Sequence, residues 1–141
     1  MNLENLYRQI IMEHYKNPLN KGLVSDSSYL LINMHNPSCG DDVTVQLKVE
    51  DDRIIDIRHI GTGCSICCSS ASVMSETLKG FTKVDALKTI DNYVKMITNQ
   101  DYDESYLKGD MMAYSGVRNF PARVKCATLA WKGLEKGLKE G

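Results

Sequence analysis

No stretch of this 141-residue chain approaches the roughly 18 consecutive apolar residues that a membrane-spanning helix needs. Nor does an apolar segment follow a basic start: the chain opens Met-Asn-Leu-Glu-Asn-Leu-Tyr-Arg, which is not the pattern of a secretory signal. An excess of one charge is missing too. There are 17 Lys and Arg against 18 Asp and Glu, so neither a nucleic-acid groove nor a membrane surface is indicated. Internal repeats and low-complexity tracts are absent. These absences leave a cytosolic protein with no nucleic-acid and no membrane partner as the expectation. The remaining composition, 43% apolar and 25% charged, is that of a globular chain. Its length fits a single domain over residues 1–141, large enough to build a core without staples.

A disulfide framework is also missing. Such frameworks use an even, spread-out set of cysteines. Here there are five, and Cys64, Cys67 and Cys68 crowd together, with Cys39 and Cys126 far away on either side. In a reducing compartment this pattern points to metal binding or thiol chemistry.

What is present is hydrophobic periodicity. Leu3, Leu6, Tyr7, Ile10, Ile11, His14 and Tyr15 recur at helical spacing, and Asn17-Pro18 ends that helix. Tyr29 to Asn33 reads as a short strand. Val43, Val45, Leu47 and Val49 alternate with polar residues as a half-buried strand, Asp51-Asp52 turns the chain, and Arg53 to Ile60 is the return strand. After Gly61-Thr62-Gly63, a helix is expected from about Cys64 to Lys79, closed by Gly80. A further helix is expected over Lys83 to Asn99, with Val84, Leu87, Ile90, Val94 and Ile97 on one stripe. A loop with one short helix then covers Gln100 to Tyr114. A last helix begins at Pro121 and carries Val124, Ala127, Trp131, Leu134 and Leu138 on its core face. The fold class is α+β: a small three-stranded antiparallel sheet packed by helices.

The cysteines fall at the boundaries of these elements. In Asn36-Pro37-Ser38-Cys39-Gly40-Asp41, Gly40 permits a bend that could turn Cys39 and Asp41 toward one metal, although a plain turn before a strand fits equally. Cys64 falls at a helix N-terminus, which favours a thiolate, or it is a small buried hydrophobe. Cys126 follows Arg123 and Lys125, cations that would lower its pKa if near. It also lies on a stripe with Ala130, Gly133 and Gly137 that suits a close helix–helix contact. The three segments do not make the paired CxxC arrangement of a zinc ribbon, so only folding can assemble a site from them. Three thiolates and one carboxylate match four-coordinate Zn2+, and thiolates also hold iron–sulfur clusters.

Taken together these segments resemble the U-type iron–sulfur cluster assembly proteins, the SufU/IscU family, over nearly the whole chain. Leu6 to Pro18 is similar to the family's opening helix. Asn36 to Asp41 and Gly61 to Ile66 are similar to its first two ligand loops. Phe120 to Trp131 is similar to the C-terminal signature of the SufU branch. Lys125-Cys126 stands where IscU proteins carry His-Cys, the proline-rich chaperone motif before that pair is absent, and the segment between Cys64 and Cys126 is long.

The resemblance implies a SufU/IscU-like fold with Cys39, Asp41, Cys64 and Cys126 as ligands of zinc, or of iron or a transient [2Fe–2S] cluster. It implies Arg123 beside the site, for partner contact or thiolate stabilisation. The implied function is to accept persulfide sulfur from a cysteine desulfurase of the SufS type, with Cys39 as acceptor, or to hold a cluster for downstream scaffold or acceptor proteins. A purely structural zinc site in an interaction module is the alternative. Cys67 and Cys68 depart from the family pattern. They are expected as small core residues on the Cys64 face, the alternative being thiolates offered to a cluster or a sulfur atom. His14, His35 and His59 are expected to be structural.

Overall fold

The computed structural model describes residues 2–140; Met1 and Gly141, the ends of the expected 1–141 domain, lie outside it. Four helices and three strands follow in the order α1 (Leu3–Lys16), β1 (Leu30–Asn36), β2 (Asp41–Glu50), β3 (Arg53–Thr62), α2 (Ser65–Leu78), α3 (Lys83–Ile97) and α4 (Pro121–Glu140). Between α3 and α4 lie two 3₁₀ segments, Glu104–Tyr106 and Gly109–Asn119. The sheet is an antiparallel meander in the order β1-β2-β3. The expected α+β class and three-stranded sheet are borne out.

The sheet buries one face because its apolar residues alternate. Val43, Val45 and Leu47 of β2 point inward with Ile32 of β1 and Ile54 and Ile57 of β3, while Leu31, Ile55 and Ile60 stay exposed. β1 runs three residues beyond the expected Asn33, to Asn36, because its register is set by pairing with β2 from Leu30↔Leu47 to Asn36↔Asp41. Helix α4 lies on this inner face. A Cβ on Gly137 would come within 2.7 Å of Ile32 Cδ1, and one on Gly133 within 2.7 Å of Met34 Cγ. The small-residue stripe therefore makes a close helix–sheet contact, not the helix–helix contact that its sequence spacing suits.

Helix α3 docks on the other side of α4 through Tyr93, whose ring stacks on Trp131 at 4.1 Å between centroids. This docking corrects the expected stripe. Ile90 and Ile97 are buried as expected and Leu87 and Val94 are half-buried against the core, but the fully buried face also holds Ala86, Thr89, Asn92, Tyr93 and Met96, and Val84 is exposed. Helix α2 is buried nearly all round, and its serines carry the polar contacts of its neighbours. Ser72 Oγ lies 2.8 Å from His14 Nδ1 and accepts the Leu19 N–H at 2.8 Å. Tyr114 donates its hydroxyl proton to Ser69 Oγ at 2.7 Å. His14 Nε2 reaches Asp110 at 2.8 Å and His59 Nε2 reaches the Leu19 carbonyl at 2.7 Å, so both rings tie elements together. His35 is exposed beside Asp42. Among the described residues no helix is long and apolar enough to cross a membrane.

Candidate metal centre

The meander and its two covering helices bring three chain segments to one end of the sheet. The β1–β2 hairpin turns through residues 37–40, with Gly40 at φ +68°, and this places Cys39 on the hairpin tip and Asp41 at the first position of β2. Strand β3 ends beside β2, with Thr62 opposite Asp42, and the chain passes through Gly63 into α2 with Cys64 as its N-cap. Helix α4 starts at Pro121 and delivers Cys126 in its second turn.

One potential ligand atom each from Cys39, Asp41 and Cys126 lies within 4.8 Å of the other two. The Cys64 thiol falls outside that three-way group. Its residue is nonetheless joined to the group, because the Cys64 backbone N–H donates to Asp41 Oδ1 at 3.0 Å. Its side chain makes no capping bond at the start of α2. Burial pushes the Cys126 thiol up, and hydrogen bonding with Asp41, Cys39 and Cys64 adds to the shift. This reverses the lowering expected from Arg123 and Lys125. Burial and crowding by acidic groups dominate because Lys125 is exposed to solvent. Arg123 is at the site: its Nη1 lies 4.0 Å from Cys39 Sγ. The hydrogen bond with Cys126, then the charges of Cys64, Cys126 and Cys39, hold its guanidinium above the ordinary range.

Asp41 is fully buried, and among the described residues it has no ion-pair partner. Its hydrogen-bond donors are all neutral: the Cys64 N–H, Asn36 Nδ2 at 3.3 Å and the Cys126 thiol. A buried carboxylate without a cation is costly, and a metal ion would supply the missing charge. Asn36 is a site residue that sequence reasoning misses. Its amide also lies 3.8 Å from Cys126 Sγ, and the only local signal is its place at the head of the Cys39 loop.

Cys67 and Cys68 separate in the structure. Cys67 is 1% exposed and belongs to the core, and burial followed by the Asp41 charge pushes its thiol up. Cys68 is half-buried rather than core, with its thiol 3.9 Å from the Gly63 carbonyl.

Gly63 is required for the approach of β3 to Asp41. It sits at φ +142°, and a Cβ there would run into the Asp41 carboxylate and come within 2.9 Å of Asp41 Cα. Gly63→Ala is therefore expected to leave the helix content intact by circular dichroism while weakening zinc binding about 10–100-fold, the range for losing a support of a metal ligand. Wild-type zinc affinity in that variant would show that this approach does not hold the site.

The family described as the NifU-like N-terminal domain matches residues 6–137. This chain belongs to that family. It is 47% identical to the zinc-dependent sulfurtransferase SufU of Bacillus subtilis, over 97% of this chain and 92% of that protein. Identity is 34% to the iron–sulfur cluster assembly scaffold protein IscU of Streptococcus pyogenes, over 97% of this chain and 85% of that protein. Among solved structures, one from Fervidobacterium islandicum, described as a cluster assembly scaffold protein for the SUF system, superposes with a TM-score of 0.84 at 34% identity. That superposition covers 97% of this chain and 99% of the other. These findings bear out the SufU/IscU resemblance and its SufU leaning.

Proposed function

We propose that the chain works over 1–141 as one domain that carries sulfur for iron–sulfur cluster assembly, with Cys39, Asp41, Cys64 and Cys126 as the ligands of a bound metal. The observation that carries this reading is the buried, uncompensated Asp41 carboxylate set against two thiols, a donor set that suits Zn2+ once Cys64 completes it. Zinc, when bound, keeps such thiols deprotonated.

Cys39 is the acceptor. It sits on a hairpin tip, half-buried, and its only hydrogen-bond acceptor among the described residues is the Ala122 carbonyl at 3.5 Å. Its thiolate attacks the terminal sulfur of a donor persulfide. A new S–S bond forms at Cys39, the donor's S–S bond breaks, and the donor leaves as a thiolate. A cysteine desulfurase of the SufS type is the donor class. Arg123 lines a 440 Å³ apolar groove with Ile66, Phe120 and Tyr7 beside the site, which suits a partner contact as well as holding the Cys39 thiolate. The sulfur, or a transient [2Fe–2S] cluster built on the same ligands, passes to downstream scaffold or acceptor proteins. Five free cysteines suit the reducing cytosol.

The test is to incubate zinc-loaded chain with desulfurase and cysteine, alkylate at short times, and map persulfide by mass spectrometry. The expected label is on Cys39 first, with none anywhere in Cys39→Ser. Label found first on Cys64, or undiminished in Cys39→Ser, would refute the assignment. The purely structural zinc reading instead requires that chelation unfold the chain. Against it stands a core built on Trp131, Tyr93, Tyr114, Ile54 and Leu134, all fully buried without help from the site.

A further inference from the structure

Sulfur arriving as a persulfide is at the oxidation level of elemental sulfur, and a cluster needs sulfide, so two electrons must be found for each atom. We infer that Cys64 and Cys67 supply them as a dithiol pair, Cys67 being the thiol that resolves a persulfide on Cys64. The inference rests on the sulfur-acceptance reading above.

Cys64-Ser65-Ile66-Cys67 is a CxxC sequence laid on a helix start. Cys64 is the N-cap of the 14-residue α2, half-buried, with its thiol free of capping duty. Cys67 is the third helical residue, in the first turn, the spacing at which a helix N-terminus accommodates a disulfide and at which such pairs show redox activity. Cys67 is 1% exposed. It lines a 380 Å³ cleft together with Cys68, Gly61, Gly63 and Lys21, which gives the released sulfur a way out. Cys68 is a poorer resolving thiol. One residue further is about 100° further round the helix, and its Sγ lies against the Gly63 carbonyl.

The steps balance. The Cys64 thiolate takes the terminal sulfur from Cys39, breaking one S–S bond, forming another and leaving Cys39 as a thiolate. Cys67 then attacks the inner sulfur of the Cys64 persulfide. The Cys64–Cys67 disulfide forms, the outer S–S bond breaks, and the persulfide hydrogen and the Cys67 proton leave with the sulfur as hydrogen sulfide. The dithiol is oxidised by two electrons and the sulfur reduced by two. A dithiol reductant of the thioredoxin class restores the pair by thiol–disulfide exchange, becoming a disulfide itself.

The experiment loads the full chain with sulfane sulfur by two routes, desulfurase plus cysteine and inorganic polysulfide. The protein is then desalted and held anaerobically without reductant. Wild type is expected to release close to one sulfide per bound persulfide and to yield the Cys64–Cys67 disulfide in peptide maps. Cys67→Ala and Cys67→Ser, checked for native circular dichroism, are expected to release about tenfold less and to keep the persulfide. Persulfide that persists in wild type as in the variants would overturn the release step, as would a disulfide from Cys64 to Cys68, Cys39 or Cys126. These outcomes are read in wild type even where a variant misfolds. Failure of desulfurase loading alone would count against the sulfur-acceptance reading, while the polysulfide route still decides the release step.

Discussion

Cys126→Ser is expected to lose zinc by roughly 100-fold or more in affinity, whereas Cys67→Ala and Cys68→Ser keep close to the wild-type metal content. Binding of about 10–16 kcal/mol shared by four ligands leaves about 3 kcal/mol to each, and that is the factor a missing thiolate removes. The position of Cys126 explains why no other group replaces it. It is fully buried in the second turn of α4, with the Asn36 amide and Asp41 on one side and the Cys39 thiol within 4.8 Å. Cys67 is buried in the core and Cys68 is half-buried, and both line the cleft beside Lys21 and Gly63. Neither belongs to the group formed by Cys39, Asp41 and Cys126. Zinc-to-protein ratios after dialysis, with competition against a chromogenic chelator for the affinities, check both halves of the expectation. Retention of wild-type affinity by Cys126→Ser, or loss of metal from either of the other variants, would require a different ligand set.

What is legible in the sequence follows the range of the forces involved. The alternation of Val43, Val45 and Leu47 can be read because one sheet face is buried and the other wet, a local signature of period two. Met34, His35 and Asn36 carry no such signature. They are strand because β2 lies alongside them, so local pattern ends β1 too early. Gly109–Asn119 begins inside the Gln100 to Tyr114 stretch, which reads only as a loop with one short helix. Its order comes from the distant contacts of Asp110 with His14 and Tyr114 with Ser69. The site shows the same division. Cysteines at element boundaries mark Cys39, Cys64 and Cys126, but the role of Asn36 depends on a sulfur 90 residues away. The different fates of Cys67 and Cys68 depend on how α2 is rotated against the sheet.

Asp41→Asn is expected to change stability in opposite directions with and without metal. In the metal-free chain the native carboxylate is buried with only neutral donors around it. Replacing it by an amide removes that charge, keeps an oxygen to accept the Cys64 N–H, and loses the 3.3 Å bond from Asn36 Nδ2, since two amide nitrogens would then face each other. The lost bond costs about 1 kcal/mol, and relief of an uncompensated buried charge outweighs it, for a net gain of about 1–2 kcal/mol. With zinc the sign reverses. A neutral amide is a poor ligand, and an affinity about 100-fold lower removes about 2.7 kcal/mol of the stabilisation that saturating metal gives. Urea unfolding of wild type and variant, each after chelation and each with excess zinc, measures all four states. The curves should cross: the variant is the more stable protein after chelation and the less stable one with zinc. Destabilisation of the variant in both conditions would mean that Asp41 acts chiefly through its hydrogen bond to the start of α2 and not as the anionic ligand of the site.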